Sequence, residues 1–208
     1  MCWICDHPGA TERDYTEHMR RLITAYGWAV QGVERDGTHP PWAYTVGLTS
    51  HRRPELVITG MGLTRATAVL NGMAAHLLHA EEPEPGTQAA LRDGPQVEIV
   101  RVAVPWAHLN LAVELYGNRI RGLQLVHADK RGNWPWDRRY QGVRGGQPIL
   151  GCREPPERRK RVGLTLNRAS IEAEDRAGTL VPGGGPRAGL GEPARGILEG
   201  STRWGLCA

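Results

Sequence analysis

Two thiols and an imidazole open this chain in the order Cys2-x-x-Cys5-x-His7. A Cys-x-x-Cys pair sets two thiolates on one tight turn, which is half of a tetrahedral zinc site. His7 is the candidate third ligand, and His39, His108 and Cys152 are candidates for the fourth. The pattern is incomplete, because no second Cys-x-x-Cys follows it. Two other readings stay open. Redox Cys-x-x-Cys pairs sit at a helix start after a strand, and no strand precedes this one. Alternatively, Trp3, Ile4 and both cysteines tuck into the core as apolar groups.

A second set of reactive groups falls at the ends of apolar stretches, where sites are commonly assembled. His108 starts a helical pattern, His127 and Asp129 end a strand pattern, Asp137 follows Trp134-Pro-Trp136, and Glu55 opens another strand. With Tyr44, the groups His108, Asp129 and Asp137 define a candidate pocket for hydrolytic or transfer chemistry, a His beside a carboxylate being able to move protons. No nucleophile motif accompanies them. Asp129 before Lys130-Arg131-Gly132 is equally a turn former. Gly142-Val-Arg-Gly-Gly-Gln-Pro148 lacks the strand-to-helix setting of a phosphate loop and reads as a plain loop. His76 and His79 lie three apart on a helix, with at least one facing solvent.

These groups need a scaffold. The central stretch is Trp42-Ala-Tyr-Thr-Val-Gly-Leu48 and, after a polar turn, Pro54-Glu-Leu-Val-Ile-Thr-Gly60. Both runs are β-branched and aromatic and predict adjacent strands. Upstream, Thr11-Glu-Arg-Asp14 predicts a capping box. Tyr15, Met19, Leu22, Ile23 and Tyr26 form one helical stripe that Gly27 ends. Trp28 to Val33 predicts a strand antiparallel to the next two, given the short turns. Leu63 to Leu78 predicts a second helix, ended before Glu81-Glu-Pro-Glu-Pro-Gly86. Gln96 to Val104 predicts a strand, Pro105 to Tyr116 a third helix, and Gly122 to His127 a further strand.

Composition bounds the rest. The chain has 208 residues, seven Trp, five Tyr and no Phe, so Trp and Tyr supply the bulky packing. Residues 1–152 carry sixteen Arg/Lys and fifteen Asp/Glu, and the remainder ten and seven. The globular part is therefore near neutral and predicts no nucleic-acid partner. No apolar run approaches the ~20 residues of a membrane span. The N-terminus has no secretory pattern. A cytoplasmic, reduced protein follows, in which structural disulfides are not expected. From Arg153 onward the chain has ten Gly and five Pro in 56 residues. That predicts a disordered tail, with a short helix near Ser170 to Arg176 and a solvated basic run at Arg158–Arg161.

Several pieces together carry a family likeness. They are Met1-Cys-x-x-Cys-Asp-His7, Ala43-Tyr-Thr-Val-Gly-Leu48, Pro54-Glu-Leu-Val-Ile-Thr-Gly60, His108-Leu109, Leu115-Tyr-Gly117, Leu123-Gln-Leu-Val126 with Asp129, Trp134-Pro-Trp-Asp137 and Gln147-Pro148. Residues 1–152 resemble the bacterial family catalogued as domain of unknown function 4262. The resemblance implies one small cytoplasmic domain and no established activity. The family pattern ends near Gly151, which sets the tail apart as disordered or foreign to the family.

The expectation is thus a single α+β domain over residues 1–152, with a mixed, largely antiparallel sheet and about three helices, and a Gly/Pro/Arg-rich tail over 153–208. Its function is read as a binding or interaction module for an unidentified small molecule or protein, with zinc held by Cys2, Cys5 and His7. The alternative is an enzyme with the Tyr44, His108, Asp129 and Asp137 pocket.

Overall fold

The computed structural model describes residues 7–37, 39–91, 94–142 and 146–155, together with the backbone of 161–162 and 181–183. Helix α1 (Glu12–Tyr26) begins as its sequence dictates. Thr11 accepts the Asp14 N–H, the Asp14 carboxylate accepts the Thr11 N–H in return, and Gly27 closes the helix at φ 89°. Strands β1 (Ala29–Val33), β2 (Trp42–Val46) and β3 (Glu55–Thr59) follow as an antiparallel meander. Helix α2 (Leu63–His79) leads to β4 (Gln88–Ala90) and β5 (Gln96–Arg101). Helix α3 (Asn110–Tyr116) then returns the chain to β6 (Gly122–His127).

The six strands lie in the order β4-β5-β6-β3-β2-β1. Only β3 and β6 run parallel in that set, with Glu55 opposite Gly122. The sheet is therefore mixed and largely antiparallel, as the short turns predicted. Two further short strands flank it: β7 (Arg161–Val162) on β4 and β8 (Val181–Gly183) on β1, both parallel. The expectation of a disordered tail, its Ser170 to Arg176 helix and its basic run otherwise lie outside the described residues.

Strand alternation divides the core in two. On one face α2 packs Leu70, Met73, Ala74 and Leu77 against Leu56, Ile58, Val97, Ile99, Leu123 and Leu125. On the other, Tyr15 and Met19 of α1 and Leu111 and Ala112 of α3 cover Tyr44, Val46 and Val57. The second face is also where buried polar strand side chains collect: Gln31, Glu55, Thr59, Glu98 and Gln124. Gln31 accepts the Tyr15 hydroxyl. A strap over residues 146–153 crosses this face and meets three of the others.

Two local readings differ from the sequence. Pro105 opens a short 3-10 turn over Pro105–Ala107, not α3 itself, because His108 and Leu109 have non-helical backbone at φ −126° and −115°. Strand β4 is unforeseen. Gln88-Ala-Ala90 has no β-branched residue, and only pairing with β5 makes it a strand.

Candidate functional site

The buried carboxylate of Glu55 organises one end of the sheet. Its Oε1 accepts the N–H of Gly47 at 3.0 Å, the N–H of Thr49 at 2.9 Å and the hydroxyl of Thr49 at 2.8 Å. Its Oε2 accepts the hydroxyl of Thr45 at 2.7 Å. Burial pushes the carboxyl upward, while the Thr49, Thr45 and Gly47 donors pull it back down. Glu55 thereby fixes the turn from Gly47 to Arg53. Gly47 adopts φ +128°, and a Cβ there would sit 2.8 Å from the backbone of Gly27 and Trp28. Only glycine fits.

That turn ends in a strained residue. Arg52 is the one non-glycine with positive φ among the described residues, at φ 60° and ψ 25°. A side chain in this region costs about 1 kcal/mol, so the surroundings must hold it. The Arg52 N–H donates to the Thr49 carbonyl and the Arg53 N–H to that of Leu48, each at 3.0 Å. Because β3 and β6 start side by side, Arg52 and Arg53 meet Arg119 and Arg121. With Thr49 they line a depression of about 360 Å³. Arg121 is bidentate to Glu82, at 2.7 and 2.9 Å. Arg53 donates to the Ala80 carbonyl at 2.8 Å, and Arg119 to that of Tyr116 at 3.3 Å.

The other end of the sheet is a hydrogen-bonded closure. Gln124 Nε2 donates to the Thr59 hydroxyl and the Pro148 carbonyl, and its Oε1 accepts the Leu150 N–H at 2.7 Å. Gln147 clasps the backbone of His127 from both sides, its Oε1 taking the N–H at 2.8 Å and its Nε2 giving to the carbonyl at 2.9 Å. Asp129 closes the loop that follows. Its carboxylate accepts the backbone N–H of Arg131, Asn133 and Gln141, each within 2.9 Å, and the Asn133 amide. Burial pushes this carboxyl up, but those donors outweigh it and hold the group at about 2. Asp137 accepts the Trp134 N–H at 2.8 Å. Arg131, Asn133, Arg139 and Gln141 line a second open depression.

Asp129 carries a pH prediction. Its folded-state pKa lies below the unfolded value, so its contribution is present above pH 4 and lost as pH falls toward 2. Urea unfolding of wild type and Asp129→Asn from pH 5 to pH 2 should show the gap between them closing with acid. A gap independent of pH would remove the charged carboxylate from the account.

The four groups expected to share a pocket fall at two places, Tyr44 and His108 toward α3 and Asp129 and Asp137 in the loop after β6. Leu109, next to His108, lies at the start of β6, its side chain 3.4 Å from a Cβ built on Gly122. Asp129 lies past the end of β6, roughly 17 Å along the strand at about 3.3 Å per residue. The Tyr44 hydroxyl is buried against the Leu111 N–H at 3.3 Å, and burial raises its pKa. Spacing in sequence says nothing about which end of a sheet a residue reaches. His108 is half-buried, which lowers its pKa.

Of the expected zinc ligands, Cys2 and Cys5 lie outside the described residues and His7 is exposed. His39 is engaged by Asp36 at 3.1 Å. Cys152 is disulfide-bonded. Structural disulfides were not expected, so Cys152 is a correction. It is also withdrawn as a fourth ligand while that bond stands. Among the described residues no group of three or more His, Cys, Asp or Glu side chains is placed to hold a metal ion. No helix there is long and apolar enough to cross a membrane.

A mixed sheet with one helix on one face, two on the other, and a glutamine-held strap defines a small α+β domain. The chain belongs to the family described as Domain of unknown function (DUF4262), whose model matches residues 22–141. No curated protein and no solved structure matches the chain. The residues that carried the resemblance now have physical roles: Gln124 and Gln147 hold the strap, Asp129 and Asp137 close turns, and Glu55 fixes the Gly47 turn.

The arginine-lined depression was missed. Its sequence signal is a pair of Arg-rich turns, His51-Arg-Arg-Pro54 and Arg119-Ile-Arg121, each just before a strand. The signal becomes legible only once β3 and β6 are known to be parallel neighbours, which depends on a crossover of more than sixty residues.

Proposed function

We propose that this domain is a binding module and not a catalyst, acting in the cytoplasm on a small molecule or protein, with zinc held by Cys2, Cys5 and His7 as a structural element. One observation carries the reading. Three of the groups suited to acid–base work are engaged by the fold. Asp129 is saturated by backbone donors, Asp137 caps its own turn, and Tyr44 is buried on the Leu111 N–H. A general base must keep a lone pair for substrate. The open depression lined by Arg52, Arg53, Arg119 and Arg121 holds guanidiniums, which bind charge well and are poor bases. The zinc part of the reading rests on the donor set itself, two thiolates and an imidazole at tight-turn spacing.

A single preparation tests both parts. Full-length protein, purified without chelator or affinity tag under reducing conditions, should carry about one zinc per chain. Cys2→Ser/Cys5→Ser should lose it. The same sample should show no turnover of activated carboxylic or phosphoric esters. Metal far below one equivalent in the wild type, or equal in the variant, removes the zinc. A hydrolytic rate that His108→Ala abolishes overturns the binding-module reading.

A further inference from the structure

We propose that the depression lined by Thr49, Arg52, Arg53, Arg119 and Arg121 is a binding site for a small phosphate-bearing ligand with at least two negative charges. This rests on the binding-module reading and supplies the chemistry of its ligand. Four guanidiniums converge on about 360 Å³, a volume that suits a phosphoryl group and its ester more than a nucleic-acid track. Glu82 is the carboxylate that meets one of them, through Arg121. Glu55 lies behind Thr49 and is the second negative charge at hand. Two positive charges remain in surplus.

Donor geometry points the same way. A guanidinium presents its N–H groups as a rigid fork that matches phosphate oxygens two at a time. Arg53 and Arg121 are steadied from behind, by the Ala80 carbonyl and by Glu82 with the Arg52 carbonyl. Each keeps further N–H donors. Arg119 is held only at Nε, by Tyr116. Arg52 makes no side-chain hydrogen bond to the described residues. The site thus has two braced forks and two open ones.

The backbone gives an independent reason. Arg52 occupies the left-handed region that glycine takes without cost. Glycine at this position would relax the turn. The Arg52 side chain makes no hydrogen bond or ion pair among the described residues that repays the strain, which points to a role outside the fold. The turn that presents it is also unusually well fixed. Glu55 holds Gly47 and Thr49 by side-chain bonds, and its own N–H donates to the Arg121 carbonyl at 2.9 Å. One buried residue therefore ties both arginine-bearing segments together, and the donors are preorganised before any ligand arrives.

Isothermal titration of the full chain at pH 7.5 and low ionic strength tests the site, with inorganic pyrophosphate as probe. One saturable site is expected, with orthophosphate weaker. Arg52→Gly and Arg119→Gln should each weaken binding about tenfold, and the pair about a hundredfold, the usual range for charge-assisted bonds. Arg52→Gly should melt no lower than wild type, which separates lost recognition from lost folding. Arg131→Gln/Arg139→Gln, at the opposite end of the sheet, should bind as wild type does. No saturable binding, or binding unchanged in Arg52→Gly/Arg119→Gln, overturns the site and leaves the binding-module reading standing. Release of orthophosphate from pyrophosphate, lost in the same double variant, keeps the site and ends the binding-module reading. A single-stranded oligonucleotide that displaces pyrophosphate at equal phosphate concentration overturns the small-ligand assignment.

Discussion

Glu55→Ala is expected to destabilise the domain by about 3 kcal/mol or more, the largest effect of any single polar substitution on the second face of the sheet. The truncation removes the acceptor for the N–H groups of Gly47 and Thr49 and for the hydroxyls of Thr45 and Thr49. A buried donor left without a partner costs about 1–3 kcal/mol, and a void adds to that. The two hydroxyls can rotate toward other acceptors, which keeps the total below a simple sum. Glu55→Gln makes the mechanism visible. Its carbonyl can still take the Gly47 and Thr49 N–H groups, and the Thr45 hydroxyl can turn to accept from the new amide. That variant should lose under about 2 kcal/mol. Chemical denaturation of the three proteins at neutral pH decides it. Equal losses for Ala and Gln would mean that the charge matters and the hydrogen-bond count does not.

The second large effect is expected at Arg153. Its guanidinium reaches the fully buried Glu98 carboxylate at 2.6 and 2.9 Å, and Gln88 donates to the same group at 2.7 Å. Removing one partner of a buried pair strands the other's charge, at a typical cost of about 3 kcal/mol or more. Arg153→Ala should lose that much. Adding Glu98→Gln to it should recover part of the loss, since the stranded charge is gone. The cycle is run without reductant, so that the neighbouring Cys152 disulfide is constant. A double variant as unstable as the sum of both single ones would show the two residues acting independently. The result also bears on where the domain ends. A boundary after Cys152 follows from composition, yet Arg153 on its far side completes a buried ion pair. A chain stopped at residue 152 should inherit the whole Arg153→Ala defect.

What the sequence made legible was local. The capping box at Thr11 and Asp14, the Gly27 stop and the β-branched runs each declare themselves within a few residues, and each appears within three positions of its expected place. What was not legible depends on contacts between distant segments. Gln88-Ala-Ala90 has no strand character of its own. Glu55 stands out by its place at a strand start but not as the holder of the Gly47 turn, and nothing near Glu98 shows that Arg153, some fifty residues on, will reach it. The candidate pocket rests on residue type in the same way. Tyr44, His108, Asp129 and Asp137 were grouped by chemical type, and a sheet has two ends.

The stack on the strap has an optical consequence. Trp134 and Trp136 lie face to face with centroids 5.3 Å apart, and the Arg153 guanidinium covers the Trp136 ring at 3.6 Å. Two indoles and a cation locked in register give a near-ultraviolet dichroic band that depends on their mutual orientation. The chain therefore carries its own chromophore for the closing segment, and loosening of the strap can be followed at those wavelengths while the peptide signal of the sheet stays constant.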